Sequence, residues 1–101
     1  MKKVVENKHR ADFDILVDSF KKDIEIKTLS AFPMITIYFN PDDYPNKYVA
    51  RVFDIRPGDV QRTRYIMLGD DLEEIRLRIP EGLYRKNRCP EDDAKILEVW
   101  F

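Results

Sequence analysis

Met34-Ile35-Thr36-Ile37-Tyr38-Phe39, then Asn40-Pro41-Asp42-Asp43-Tyr44-Pro45-Asn46, then Tyr48-Val49-Ala50-Arg51-Val52-Phe53-Asp54-Ile55 is the stretch on which the fold turns. The first and last pieces are rich in β-branched and aromatic residues, which suit a pleated, packed surface. The middle piece is a cluster of turn formers. Together they predict an antiparallel hairpin whose loop is longer than a tight turn. Downstream, Arg56-Pro57-Gly58-Asp59 predicts a turn and Arg64-Tyr65-Ile66-Met67-Leu68 a third strand. Gly69-Asp70-Asp71-Leu72-Glu73-Glu74-Ile75 predicts a helix start, because either aspartate can cap and each has a glutamate three residues on. Leu72, Ile75 and Ile79 supply its buried stripe, and Pro80 and Gly82 stop it. The chain closes on Ile96-Leu97-Glu98-Val99-Trp100-Phe101, again of β character. From residue 34 the expected order is β-β-β-α-β.

Upstream the pattern changes. Phe13, Leu16, Val17, Phe20 and Ile24 fall at helical spacing, with Asp12 and Asp14 early and Lys21 and Lys22 late. That predicts a helix over 11–23. Residues 24–30 alternate with period two and read as a short strand or extended connector, and residues 81–94 read as irregular. Residues 1–10 carry basic groups and His9 with little to bury, so they read as a flexible basic arm. The expectation is one α+β domain over 11–101. It has an N-terminal helix, an antiparallel sheet of about four strands, and helices packed on one face.

A length of 101 residues suits one domain. Charged residues make up 37% of the chain, against roughly 25% in an average domain. Basic and acidic residues nearly cancel, 18 against 19, so there is no global pull toward nucleic acid or anionic lipid. The single cysteine, Cys89, rules out an internal disulfide framework and fits a reducing compartment. No apolar run approaches the length of a membrane span, and the N-terminus has no signal-like apolar region. A cytoplasmic protein without a membrane partner is expected.

The inventory for catalysis is thin. His9 is the only histidine, and Ser19, Ser30, Thr28, Thr36, Thr63 and Cys89 have no evident base beside them. A Cys89–His9 pair reads more simply as a tail histidine and an incidental thiol. One histidine and one cysteine cannot build a zinc site. Asp42-Asp43, Asp70-Asp71 and Glu91-Asp92-Asp93 have duller roles available in a turn, a cap and a loop. With three glycines in all, no phosphate-cradling loop exists, and Gly58 and Gly69 read as turn residues needing positive φ. The expectation is a protein that is not an enzyme and uses neither metal nor cofactor.

Between 51 and 88 lie Arg51, Arg56, Arg62, Arg64, Arg76, Arg78, Arg85, Lys86 and Arg88, with Tyr65 and Tyr84 among them. Arginines and exposed tyrosines on a sheet are one way to hold single-stranded RNA. The same residue types are enriched at protein hot spots, and acidic residues interleave the arginines throughout. The candidate partner-binding residues are Arg62, Arg64, Tyr65, Tyr84, Arg85, Lys86, Arg88, Glu91, Asp92 and Asp93. The acidic clusters 91–93 and 70–74 would mimic phosphate toward a basic partner groove. A C-terminal edge strand ending on Trp100-Phe101 also invites pairing with a second copy. The favoured expectation is a non-catalytic protein–protein interaction module, an inhibitor that occludes a partner's active surface. The alternative is a small RNA- or single-strand nucleic-acid-binding domain using 51–88.

Lys47-Tyr48-Val49, Phe53-Asp54-Ile55-Arg56-Pro57-Gly58 and Gly69-Asp70-Asp71-Leu72-Glu73-Glu74-Ile75 together resemble the HicB antitoxin domain. The resemblance spans residues 34–79, under half of the chain. It implies a small β-β-β-α-β fold without catalytic activity that covers a small RNA-cleaving toxin by protein–protein contact.

Overall fold

The computed structural model describes residues 13–22 and 25–101, together with the backbone of 3–4. The arm expected over 1–10 otherwise lies outside the described residues. A single mixed sheet dominates. Its strands are β1 (Lys3–Val4), β2 (Ile15–Leu16), β3 (Pro33–Phe39), β4 (Tyr48–Arg56), β5 (Asp59–Gly69), β6 (Arg85–Asn87) and β7 (Ile96–Trp100). They lie in the order β1-β2-β5-β4-β3-β7-β6. All neighbours are antiparallel except β2 and β5, which run parallel with Ile15 opposite Tyr65 and Leu16 opposite Ile66. The helices are short: α1 (Ile26–Leu29) has four residues and α2 (Leu72–Leu77) six. None is long and apolar enough to cross a membrane among the described residues.

This corrects the expected architecture: the sheet is mixed rather than antiparallel, has seven strands among the described residues rather than about four, and is accompanied by only two short helices, with the largest departure in the first third. No helix forms over the described part of 11–23. Ile15–Leu16 instead adds to the sheet beside β5, and Val17 follows by donating to the Ile66 carbonyl at 2.9 Å. The helical stripe does not act as one face: Val17 and Phe20 enter the main core, Leu16 packs in a second cluster and Phe13 stays 39% exposed. Asp14, expected near the start of that helix, is fully buried. Tertiary pairing has overridden a local pattern. The 24–30 segment is likewise neither strand nor connector but the helical turn α1. A short strand, β6, also occupies part of 81–94.

The hairpin at the centre follows from residue chemistry. Asn40 and Asn46 both take positive φ, +58° and +63°, and the Asn40 carboxamide accepts the Asn46 N–H at 2.8 Å, closing the loop between β3 and β4. β4 and β5 are joined through Pro57-Gly58, with Gly58 at φ +74°, the proline–glycine pattern of a type II turn. Asp71 caps α2 by accepting the Glu73 N–H at 3.3 Å. Gly69 is not a positive-φ turn residue; a Cβ there would stand 2.9 Å from Ile75 Cδ1, so it is the floor on which α2 rests.

The two faces of the sheet differ. Ile35, Ile37, Ala50, Val52 and Met67 point to one side and are sealed by Val17, Phe20, Ile26, Ile75 and Ile79. On that side Glu98 of β7 accepts two bonds from Arg76 of α2, at 2.6 and 3.0 Å, and one from Trp100 Nε1 at 2.9 Å. Asp54 of β4 accepts the Ser30 hydroxyl at 2.5 Å, fastening the end of α1. Among the described residues no helix covers the other side.

Candidate functional site

The uncovered face is built by alternation. Side chains at 34, 36 and 38 of β3, 49, 51 and 53 of β4, and 60, 62 and 66 of β5 point away from the sealed core. One corner closes on itself: Tyr44 folds down from the β3–β4 loop onto Val49 and Ile66, with Leu16 and Leu68 alongside. Tyr44 donates to Asp14 Oδ2 at 2.9 Å. Asp14 Oδ1 lies 2.7 Å from Arg51 Nη2, in ionic contact but without hydrogen-bond alignment. Arg51 also donates to the Thr63 carbonyl at 2.9 Å, which a register shift in β5 opposite Val52 turns inward. This buried arginine is spoken for.

Among the described residues the rest of the face stays open. A pocket of about 160 Å³ is lined by Tyr38, Pro41, Val49, Phe53 and Arg62 among others. It continues into a groove of about 340 Å³ past Met34, Val60, Ile96, Val99 and Phe101, and the two share Tyr38 and Phe53. In register, Phe53 stands between Met34 and Arg62, and Thr36 between Val99 and Arg51. Tyr84 and Phe101 exchange both backbone hydrogen bonds, which extends β6 and β7 by one pair. Tyr84 (79% exposed), Val60 (51%) and Phe101 (47%) leave much apolar surface in water. Burial pushes the Tyr38 hydroxyl above its ordinary pKa, against the pull of Arg51 and Arg62. It therefore remains a neutral donor and acceptor at any physiological pH.

The residues expected at a partner site are scattered around this face. Arg62 lines the pocket, and Lys86 and Asp92 line the groove. Arg62 and Arg64 stack on Phe13, at 5.0 and 5.6 Å from its ring centre. Tyr65 packs against the sealed core, away from the other tyrosine. Arg85 alternates to the sealed side, 3.6 Å from Glu98. The acidic residues serve local turns: Asp92 accepts the Cys89 N–H and Asp93 the Lys95 N–H, both at 2.8 Å, while Glu91 is exposed. Arg88 Nη2 reaches the Asp92 carbonyl at 3.4 Å. Asp70 pairs with Lys47.

Met34, Tyr38, Phe53, Val60, Val99 and Phe101 were not among the expected site residues. A signal for them exists. Met34 to Phe39 is apolar on both alternating faces, the pattern of a strand meant to be covered on two sides. No cluster of potential metal ligands occurs among the described residues. The β7 edge expected to recruit a second copy is occupied, since β7 lies between β3 and β6. The chain matches no protein-family model, no curated protein and no solved structure.

Proposed function

We propose that this protein is a non-catalytic interaction module that uses the uncovered face of its sheet to cover the surface of a partner polypeptide. One observation carries the reading. The centre of the face is apolar and aromatic, with Met34, Tyr38, Phe53, Val60 and Phe101, while Arg62, Lys86, Asp43 and Asp92 stand around it. A desolvated apolar centre inside a charged rim is the anatomy of a protein interface. The resemblance of residues 34–79 to HicB antitoxin domains supports the same direction, an inhibitor that acts by occlusion. The nucleic-acid reading draws on the same exposed rings, Tyr84 and Phe101, beside Lys86.

Salt and nuclease separate the two. The test is affinity capture from the source organism's lysate with the intact chain and with a Val60→Asp/Phe101→Asp variant, each with and without nuclease. Both positions are exposed, so the variant keeps its thermal unfolding profile. The expected result is a polypeptide retained by the parent, lost by the variant, indifferent to nuclease and retained at about 0.5 M salt, well above the range of roughly 0.05–0.2 M in which phosphate-dominated binding collapses. Equal capture by parent and variant, or capture abolished by nuclease, would overturn the reading.

A further inference from the structure

Several basic side chains bordering the uncovered face lack the close acidic partner that most of the described cations have. In this charge-dense chain, cations usually sit on an acid, as Lys47 does on Asp70 and Arg76 on Glu98. Arg64, Lys86 and Arg88 have no carboxylate within 4.0 Å among the described residues. Lys86 reaches only the Cys89 sulfur at 3.6 Å, and Arg88 Nε is buried without a hydrogen-bond partner. Arg62 is 4.0 Å from an Asp14 oxygen that Arg51 already holds at 2.7 Å. Lys22 and Lys27, also without an acid among the described residues, line separate hollows beside α2 and α1. The cations bordering the open face therefore form two borders: on β5, Arg62, whose one acid at 4.0 Å is shared with Arg51, and Arg64; at β6, Lys86 and Arg88.

Between these borders the sheet runs β5-β4-β3-β7-β6. Four strand spacings of about 4.8 Å separate them by roughly 19 Å. An α-helix with its side chains is about 10–12 Å across, which leaves room on each flank for one carboxylate to meet one cation. A single nucleic-acid strand has one line of phosphates and would satisfy one border. The missing layer over a sheet apolar on both faces is most simply a helix laid along the strands.

We propose that the open face docks an amphipathic helix of a partner polypeptide. Its apolar stripe lies along β3 over Met34, Tyr38 and Phe53. Acidic side chains on its two flanks meet Arg62 and Arg64 on one side and Lys86 and Arg88 on the other. The inference rests on the protein-binding reading above and names the chemistry of the partner. Asp43 stands at the loop end of the stripe, and Asp92, which lines the same groove as Lys86, has its carboxylate on the Cys89 N–H at 2.8 Å and neither carboxylate oxygen within 4.0 Å of the basic group of Lys86 or Arg88.

The probe is a displayed library of 18-residue helical peptides with a constant apolar stripe and randomised flanks, selected on the intact immobilised chain. Enriched sequences are expected to carry Asp or Glu on both flanks. An enriched peptide should lose about tenfold or more in affinity toward Arg62→Glu/Lys86→Glu, a shift of about 1.4 kcal/mol. Selection on that variant should enrich Lys and Arg instead. Val60→Asp/Phe101→Asp should abolish enrichment. Peptides enriched without acidic bias but lost on Val60→Asp/Phe101→Asp overturn the acidic helix and leave the protein-binding reading standing. No enrichment, together with tighter binding of a fluorescent uridine 15-mer, overturns both.

Discussion

Arg76 on α2 and Glu98 on β7 form a two-bond clamp, Nε to Oε2 at 3.0 Å and Nη2 to Oε1 at 2.6 Å, across the sealed face of the sheet. Glu98 is 2% exposed, and Glu73 shares the arginine at 2.6 Å. Removing one partner leaves a buried charge without compensation. Glu98→Gln is expected to cost about 3 kcal/mol, read by denaturant unfolding. A double-mutant cycle with Arg76→Met should return a coupling energy of about 1–3 kcal/mol. Additivity of the two substitutions would show that the clamp is ornamental.

The same carboxylate sets an acid limit. Burial pushes Glu98 up, but bonds from Arg76 and Trp100 and the charges of Arg76 and Arg85 outweigh it and hold its pKa below the ordinary value. A depressed folded-state pKa means that the unfolded chain binds the proton more readily. Its stabilisation is therefore complete above about pH 4.3, the unfolded value, and drains away as pH falls toward the folded one. Asp54, lowered by the Ser30 hydroxyl and then by Arg56, acts in the same direction. Stability measured from pH 5 down to pH 2 should fall, and Glu98→Gln should flatten that slope. An unchanged slope in the variant would assign the acid sensitivity to other groups.

Gly69 and Gly58 are both glycines for different reasons, and alanine separates them. At Gly69 a Cβ would meet Ile75 Cδ1 at 2.9 Å and Cγ1 at 3.0 Å, on a residue with no exposure to yield into. Gly69→Ala should cost about 1–3 kcal/mol by overpacking. At Gly58 the surroundings are empty and only φ +74° resists a side chain. Gly58→Ala should cost about 1 kcal/mol, and Gly58→Asn less, because asparagine tolerates that region. Equal losses at Gly58 for alanine and asparagine would contradict the conformational account.

Asp14 and Arg62 offer a contrast in burial. Asp14 is fully buried between Arg51 and the Tyr44 hydroxyl, whereas the Arg62 side chain is 51% exposed. Asp14→Ala should cost about 3–5 kcal/mol by stranding Arg51. Arg62→Ala should change stability by less than about 0.5 kcal/mol. Thermal melts of the two variants side by side decide the matter.

Much of the sheet was legible because alternation and turn chemistry agree. β3, β4 and β7 lie on the β-branched, aromatic runs, and Pro57-Gly58 sits at the turn it was expected to make. Residues 13–20 misled because Val17 and Phe20 keep helical spacing while Ile15 and Leu16 satisfy their backbone on β5. Short strands at that spacing are set by a neighbour distant in sequence, which no local window contains. The site was harder still. Tyr65 and Tyr84, neighbours in a list of tyrosines, end on opposite faces, and Arg51 is consumed by an aspartate whose burial no pattern announced. The apolar stripe of Met34, Tyr38 and Phe53 looked like core because half of every strand here is core.

The Pro57-Gly58 junction also has a consequence in time. It brings β4 and β5 together across a two-residue connection, whereas Ile15 must find Tyr65 across some fifty intervening positions. Closing a long loop loses more chain entropy than closing a short one, and ordered local pairs form first. The expected folding nucleus is the β4–β5 ribbon, and β2 is the last strand to zip on. Substitutions in Val52 or Met67 should then slow refolding, while substitutions in Ile15 should mainly hasten unfolding.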